Sequence, residues 1–266
     1  MMSNAIIELQ HVTKRFGGLT AVDGVNFSVE PGEIFAFLGP NGAGKSTTIK
    51  MMTTLLRPTG GKLLLNGHDV EHDQDAARKA FGIVFQDSSV DNELTAYENM
   101  ELHAVLYGMS GPKMRERIHE LLALVHLEER KQSFVKTFSG GMIRRLEIAR
   151  GLLHQPKILF LDEPTLGLDT QTRTMLWDYV TKLREHQGMT VFLTTHYIEE
   201  AEDVADRIAV IDHGRIVAMG STGELTRQTG TDSLEDAYLA LTGKEIRDEE
   251  ADAADQFRAR ARSRRR

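Results

Sequence analysis

The chain has 266 residues, of which 41% are hydrophobic and 27% are charged, and its formal net charge at pH 7 is −7. This composition supports a full α/β core, and the negative charge argues against a general nucleic-acid binder, which needs a basic surface. The lack of cysteine excludes disulfide bonds and thiolate metal sites, and the longest apolar runs are too short to span a membrane.

Alternating apolar and polar residues near the N-terminus predict half-buried antiparallel strands at residues 7–10 and 25–30. Phe16 lies between these strands and is followed by two glycines, which is typical of a turn. The aromatic ring has two interpretations, a core residue or a platform on which a purine ring stacks. Taken alone, the residue is more typical of a core.

A glycine-rich loop at residues 39–47 lies between an apolar run, Ile34 to Leu38, and a helical pattern over residues 47–56. A phosphate-binding loop requires this context of strand, loop and helix, because backbone N–H groups must approach the phosphate closely. The lysine can reach the β- and γ-phosphates, and the serine hydroxyl can take one position on Mg²⁺. The predicted phosphate-binding residues are Gly39, Pro40, Asn41, Gly42, Ala43, Gly44, Lys45, Ser46 and Thr47.

The next segment changes from strand to helix. A strand predicted at residues 83–85 ends at Gln86, which is either a turn residue or a ligand at the edge of the sheet. From residue 94 to 126 the pattern is helical, and Thr95 with Glu98 predicts a capping box. We therefore expect a helical subdomain, at about residues 88–155, inserted into the α/β core.

A second glycine-containing segment, Ser139, Gly140 and Gly141, precedes a helical run at residues 142–153. It offers a hydroxyl and unobstructed backbone N–H groups at a helix N-terminus. A second phosphate site and an ordinary serine N-cap account for this pattern equally well.

Two further apolar runs each end in polar residues. Residues 157–161 lead to Asp162 and Glu163, and residues 191–195 lead to His196. A carboxylate after a strand beside the phosphate loop can hold Mg²⁺, and the second carboxylate can accept a proton from an attacking water. His196 is delivered to the same edge of the sheet, which favours a functional role over a structural one.

Together these motifs resemble the nucleotide-binding subunit of ATP-binding-cassette (ABC) transporters. The matching segments are the phosphate loop, a Q-loop at Gln86, a signature at residues 138–142, a Walker B run at 158–163, a D-loop at 166–169 and the switch His196. The resemblance implies a phosphate-loop NTPase core of α/β class, with an N-terminal antiparallel β subdomain and the inserted α-helical subdomain. It places the cassette at residues 5–230, followed by a short helical extension at 231–246.

The resemblance also implies ATP and Mg²⁺ as cofactors and gives the motif residues roles. Glu163, His196 and Gln86 would be catalytic, and Ser46, Gln86 and Asp162 would serve Mg²⁺. Phe16 would stack on adenine. Together with the phosphate loop, the residues that would contact the nucleotide are Ser139, Gly140, Gly141 and Asp169.

In this family the signature of one subunit completes the phosphate site of another, so the resemblance implies an ATP-dependent dimer. The second chain is either an identical copy or a paralogue, and we expect a homodimer because one chain carries both half-sites. The implied partner is an integral membrane permease, and the implied location is cytoplasmic, peripheral on the cytoplasmic face of the membrane. No nucleic-acid partner is expected.

Within the family, Phe-Ser-Gly-Gly-Met at residues 138–142 and the segment 234–243 resemble the daunorubicin-resistance type of ABC-2 exporters. The commoner signature has Leu first and Gln fifth, so Met142 removes a polar group. We therefore expect export of a hydrophobic drug or antibiotic. The alternatives are export of a lipid or polysaccharide, and a non-transport cassette that acts on a ribosome or nucleic-acid complex. A GTPase would need an Asn-Lys-x-Asp motif, which we do not find.

The last predicted segment, residues 247–266, is acidic at first and ends in a run rich in arginine. Charge blocks of this kind are typical of solvated, disordered tails. The alternative is attraction of the arginines to anionic lipid headgroups or to an acidic partner surface.

Overall fold

The computed structural model describes residues 5–243, apart from the side chain of His186, so the charged tail predicted at 247–266 lies outside the described residues. The first half contains β1 (Ile7–Phe16), β2 (Leu19–Val29), β3 (Ile34–Leu38), α1 (Lys45–Met52), β4 (Gly60–Leu65), β5 (His68–Asp69), α2 (Gln74–Ala80), β6 (Phe81–Val84), α3 (Ala96–Leu106) and α4 (Gly111–Leu124). The second half contains α5 (Gly140–Gly151), β7 (Ile158–Asp162), α6 (Thr170–Gln187), β8 (Thr190–Thr195), α7 (Ile198–Val204), β9 (Arg207–Asp212), β10 (Arg215–Gly220), α8 (Thr222–Thr229) and α9 (Leu234–Thr242). Short 3₁₀ turns at Glu128–Arg130 and Val135–Thr137 link α4 to α5.

The strands form two sheets. A 4-stranded antiparallel sheet has the order β2-β1-β4-β5, and a 6-stranded sheet has the order β10-β9-β3-β8-β7-β6. The second sheet is parallel except for the β9–β10 pair. Since α3 and α4 lie between β6 and β7 in the chain, the predicted fold class of an α/β core with an antiparallel subdomain and a helical insertion is confirmed.

Aromatic side chains fill the space between the sheets. Phe35 and Phe37 point from β3 toward the antiparallel sheet, where the ring of Phe35 stacks on Phe27 at 5.2 Å. The alternate residues of β3, Ile34, Ala36 and Leu38, pack instead with the helical side of the molecule. Because both faces of this parallel sheet are covered, its strands appear in the sequence as continuous apolar runs.

The capping box predicted at Thr95 and Glu98 is confirmed. The Thr95 side chain and the Glu98 backbone and carboxylate form the capping box of α3. Pro112 lies in the first turn of α4, a position where its missing N–H costs nothing. One nearby boundary differs from the prediction, because β6 spans Phe81–Val84 and Gln86 therefore follows the strand instead of ending it.

The predicted bounds also shift at both ends of the first helix and at the C-terminal end of the first strand. Helix α1 begins at Lys45 rather than Thr47 and ends at Met52, because Thr54 adopts a left-handed φ of 62°. Strand β1 continues past residue 10 to Phe16 through register irregularities around His11. Helix α9 lies within the extension predicted at residues 231–246, which stays a prediction because residues 244–246 are outside the described range.

His103 lies on α3 and is half-buried. Burial, aided by the positive charge of Arg150, lowers the pKa of His103 from 6.5 to about 4. Burial also lowers the pKa of His154, whose ring stacks on Tyr107 at 3.8 Å. Both imidazoles are therefore neutral in the folded protein near neutral pH.

We predict that acid weakens the fold through these histidines. Between pH 6.5 and about 4 the unfolded chain binds more protons at His103 than the folded chain does, so this contribution is complete above pH 6.5 and is lost as the pH falls. After a discount for partial exposure, the loss at His103 is on the order of 2 kcal/mol. Urea unfolding from pH 7 to 4 measures it. The free energy of unfolding should depend less steeply on pH in His103→Gln than in the wild type. An unchanged dependence on pH would contradict the role of His103.

Candidate functional site

The glycine-rich loop connects β3 to α1 and packs tightly against its neighbours. A Cβ at Gly39 would lie 2.4 Å from the carbonyl oxygen of Ile211, and one at Gly44 would lie 2.6 Å from that of Ala21. Gly44 also has a φ of 106°, which side-chain-bearing residues rarely adopt. The fold therefore requires glycine at these positions and leaves the loop backbone at the N-terminus of α1.

Lys45, the first residue of α1, is buried and points back into the loop. Its Nζ donates to the carbonyl oxygens of Gly39 at 2.7 Å and Pro40 at 3.2 Å, and it lies 3.4 Å from Glu163 Oε1. The structure thus brings together the predicted phosphate-binding lysine and the predicted catalytic carboxylate.

Glu163 follows β7 in a left-handed conformation, with a φ of 47°. Such a conformation is costly for a residue with a side chain and occurs most often at functional sites. The Glu163 backbone N–H donates to the carbonyl oxygen and to Oγ1 of Thr194, each at 3.1 Å. These bonds join the ends of β7 and β8, the two strands that directly precede Glu163 and His196.

His196 lies on the opposite side of the Glu163 carboxylate from Lys45. Its Nδ1 is 3.2 Å from Glu163 Oε2, close enough for an ion pair, although the angle leaves Nδ1 without a well-formed hydrogen bond. Burial alone would raise the pKa of Glu163, but His196 and Lys45 outweigh it and leave this pKa below its usual value. Glu163 is therefore ionised at neutral pH, as a proton acceptor must be.

Asp162, at the end of β7, is a second buried carboxylate of this edge. Burial raises its pKa, while a 2.6 Å hydrogen bond from Thr194 Oγ1 opposes the shift. Within residues 5–243, no group of three or more His, Cys, Asp or Glu side chains could hold a metal ion. A buried carboxylate beside a serine hydroxyl and phosphate oxygens is, however, a donor set that suits Mg²⁺. The buried Asp162 supplies the carboxylate of this set, and the roles of Ser46 and Asp162 as Mg²⁺ ligands stay predictions.

The signature segment forms a separate half-site. Ser139 is exposed and caps α5 by accepting a 3.3 Å hydrogen bond from the Met142 N–H, so the N-cap interpretation is confirmed. Gly140 is also exposed, and a Cβ at Gly141 would lie 2.4 Å from Thr172 Cγ2. The described hydrogen bonds of Ser139 stay within its own helix, and a phosphate role for this segment stays a prediction.

Asp169 is the N-cap of α6. Its carboxylate accepts from the N–H of Thr172 at 2.9 Å and from Thr172 Oγ1 at 2.8 Å. Because Thr172 also packs against Gly141, the capping residue fixes the contact between the D-loop helix and the signature helix. The predicted nucleotide contact of Asp169 stays a prediction.

Phe16 lies at the end of β1 and is only half-buried. It belongs to neither hydrophobic core cluster of the described residues, and Lys14 Nζ lies 5.0 Å from its ring centroid. The interpretation as a core residue is therefore wrong. Phe16 lies next to the β1–β2 turn, away from the residues that pack between the two sheets. Stacking on adenine stays a prediction.

Gln86 has an exposed side chain, while its backbone is held by the signature helix. Arg144 donates to the carbonyl oxygens of Phe85 and Gln86, and Arg150 donates to the carbonyl oxygen of Ser89 at 2.7 Å. Glu147 accepts from the Ser89 N–H at 2.8 Å and pairs with Arg144 at 3.0 Å. We call Arg144, Glu147 and Arg150 the α5 clamp.

Sequence patterns alone do not predict the α5 clamp. All three of its side chains are buried, with exposures of 7%, 1% and 6% for Arg144, Glu147 and Arg150. Their spacing of three residues places them on one face of the helix, and charged residues on a helix are usually solvated. The available signal is that these charged residues recur at every third position of a short helix that lies, in the sequence, between two buried strands.

Comparison with known proteins identifies the family of the chain. The sequence model of the family described as ABC transporter matches residues 22–166. The daunorubicin/doxorubicin resistance ATP-binding protein DrrA of Streptomyces peucetius is 47% identical over 86% of this chain and 69% of its own length. The linearmycin resistance ATP-binding protein LnrL of Bacillus subtilis is 39% identical over 86% of this chain and 73% of its own length.

Solved structures agree with this match. The chain superposes on an ATP-binding subunit of an ABC transporter with a TM-score of 0.80, 32% identity, and coverage of 89% of this chain and 99% of that chain. A dimeric, post-hydrolysis ATP-binding cassette bound to ADP and Pi gives a TM-score of 0.73 at 32% identity, covering 81% of this chain and 98% of the other. The chain therefore belongs to the ABC transporter family, and it is an ATP-binding cassette that acts as an ATPase.

Proposed function

We propose that this ATPase powers the export of a hydrophobic drug or antibiotic through a separate membrane-spanning partner. The observation that carries the proposal is the 47% identity, over most of the chain, to a relative named for daunorubicin and doxorubicin resistance. A second relative named for daunorubicin resistance, from Streptomyces coeruleorubidus, is 42% identical over 91% of this chain and 76% of its own length.

The site geometry supports a specific division of labour in ATP hydrolysis. The ionised Glu163 carboxylate would accept the proton of the attacking water, and the imidazole of His196 would contact the γ-phosphate. Lys45 would exchange its carbonyl and carboxylate partners for phosphate oxygens. Mg²⁺, held by Ser46, Asp162 and Gln86, would supply positive charge that neutralises the charge developing on the phosphates.

The exposed signature supports assembly of the site from two copies of the chain. Ser139 and Gly140 present a helix N-terminus to solvent, and the positive end of a helix dipole favours an anion. In a head-to-tail dimer, this terminus of one copy would face the γ-phosphate bound at α1 of the other. One solved cassette that this chain resembles was determined as a dimer.

An apolar surface on the helical subdomain supports a membrane partner. The side chains of Leu102, Val105, Leu106 and Tyr107 are 49%, 57%, 72% and 41% exposed. Clustered exposed apolar residues of this kind mark interaction sites. None of the helices within residues 5–243 is long and apolar enough to cross a membrane. The transport path would therefore be supplied by the partner, and the cassette would reach the membrane by binding it.

The exposed apolar surface at residues 102–107 is linked to the ATP site through packed side chains. Tyr107 stacks on His154 beside α5, and the α5 clamp holds the backbone of residues 85–89. Movement of the helical subdomain on ATP binding would therefore reach both the partner surface and Gln86.

A cargo other than a drug has some support. The Nod factor export ATP-binding protein I of Ralstonia nicotianae is 40% identical over 88% of this chain and 73% of its own length. Cassettes this similar are thus named for different cargoes, and the membrane partner would determine which cargo is carried.

Purification of the tagged protein from its own cells in mild detergent tests the proposal. We expect one polytopic membrane protein in near-stoichiometric amount, and deletion of its gene should sensitise the cells to the exported compound. Recovery of ribosomal or chromosomal material without a membrane protein would contradict the transport proposal and would leave the ATPase assignment intact.

A further inference from the structure

A buried carboxylate that none of the predicted motifs includes lies beside the ATP site. Glu200, in the first turn of α7, is 3% exposed. Its Oε1 accepts a hydrogen bond from Thr165 Oγ1, and its Oε2 accepts one from Thr195 Oγ1 at 2.9 Å. A carboxylate is costly to bury unless it is fully hydrogen-bonded, so these contacts hold both threonine side chains in place.

The two threonines flank the proposed catalytic pair. Thr165 follows Glu163 by two residues, and Thr195 directly precedes His196. Glu163 Oε2 and His196 Nδ1 lie 3.2 Å apart. A closed ring therefore connects these groups. It consists of the two hydrogen bonds of Glu200, the chain segments 163–165 and 195–196, and the contact between Glu163 and His196. Glu200 lies opposite the reacting groups in this ring.

A guanidinium from α6 extends this ring. Arg173 Nε lies 3.6 Å from Glu200 Oε1, and its guanidinium carbon is 5.1 Å from the ring centroid of Tyr197. The Tyr197 ring lies 4.1 Å from that of His196. Arg173 belongs to the first turn of the helix that Asp169 caps, so Glu200 connects the start of α6 to both catalytic loops.

We infer that Glu200 is a positioning residue for ATP hydrolysis, which sets the spacing and direction of Glu163 and His196 without touching the nucleotide. The inference rests on the catalytic roles proposed above. The Glu163 backbone already adopts a costly left-handed conformation, so the flanking contacts must hold it there. Small misplacements of a catalytic group cost large factors in rate while leaving substrate binding intact.

The test is Glu200→Gln, with Glu199→Gln as its matched control. Both residues lie in the first turn of α7 and both changes remove one negative charge, but Glu199 is exposed. The amide can accept from only one threonine, and Thr195 Oγ1 already accepts the Tyr197 N–H at 3.0 Å. We expect kcat for ATP hydrolysis to fall about 10- to 100-fold, with KM within about twofold of wild type. Glu199→Gln should keep the wild-type kcat.

A double variant separates positioning from general damage. If Glu200 acts through Glu163, then Glu200→Gln should change the residual single-turnover rate of Glu163→Gln by less than about twofold. Three results would each overturn the inference. They are a wild-type kcat in Glu200→Gln, a rise in KM that matches the loss in kcat, and a full further loss of rate when Glu200→Gln is added to Glu163→Gln.

Two further variants keep the test decisive if Glu200→Gln does not fold. Thr165→Val and Thr195→Val each remove one hydroxyl of the ring at nearly constant shape, and each should lower kcat with little change in KM. Wild-type kcat in both would overturn the inference. Normal turnover in Glu163→Gln alone would instead remove the proposed role of Glu163, and this result is distinct from any outcome at Glu200.

Discussion

Replacement of Glu163 by glutamine should lower kcat for ATP hydrolysis about 100- to 1,000-fold, because an amide cannot accept the proton of the attacking water. The side chain keeps its shape, so the loop after β7 should keep its conformation. ATP affinity should hold or improve, since Lys45 loses its carboxylate partner at 3.4 Å and phosphate no longer competes with that charge. The variant should also accumulate as an ATP-bound dimer.

Steady-state phosphate release and equilibrium binding of ATP measure the two effects separately. The exposed Glu199 supplies the control, since Glu199→Gln removes the same charge away from the site. Turnover close to wild type in Glu163→Gln would remove this residue from the chemistry. Loss of ATP binding along with turnover would show that the carboxylate supports the fold of the site instead.

The α5 clamp should be essential for stability. In Glu147→Ala, the buried guanidinium of Arg144 loses its carboxylate partner and the Ser89 N–H loses its acceptor. Leaving one member of a buried ion pair without its partner costs about 3–5 kcal/mol in the free energy of unfolding. Urea unfolding at pH 7 measures the change.

The chain contains a matched control for this prediction. Arg117 and Glu120 form an ion pair on α4 with the same spacing and a similar distance of 2.9 Å, but the Glu120 side chain is 62% exposed. Glu120→Ala should therefore cost at most about 1 kcal/mol. Equal losses in the free energy of unfolding of the two variants would mean that burial does not determine how much the clamp stabilises the fold.

Much of the ATP site follows from the sequence because parallel strands end at a common edge. Asp162, Glu163 and His196 each follow an apolar run, and the structure places the ends of β7 and β8 side by side. The loop at residues 39–47 can also be predicted from the sequence, since glycines at this spacing between a strand and a helix are typical of a phosphate-binding loop. The capping box at Thr95 is readable because it depends only on residues near in sequence.

Other parts of the site depend on tertiary contacts that a single sequence does not display. Phe16 has two interpretations in the sequence because its burial depends on where the β1–β2 hairpin lies relative to the core. The α5 clamp and Glu200 resemble solvated helix faces in the sequence, and only the packing of their helices buries them. The bounds of α1 and β6 differ from the prediction for a local reason, since single residues such as Thr54 end an element in a conformation that periodicity does not predict.

We propose that each ATP site is built from the phosphate loop of one copy and the signature of another. Mixing two inactive variants tests whether the site is shared in this way. Lys45→Met removes the phosphate-binding cation, and Ser139→Arg obstructs the exposed signature. A mixed dimer would contain one site with both defects and one site with none. Equal mixing should therefore restore about a quarter of the wild-type ATPase rate. A mixture as inactive as its two components would contradict the shared site.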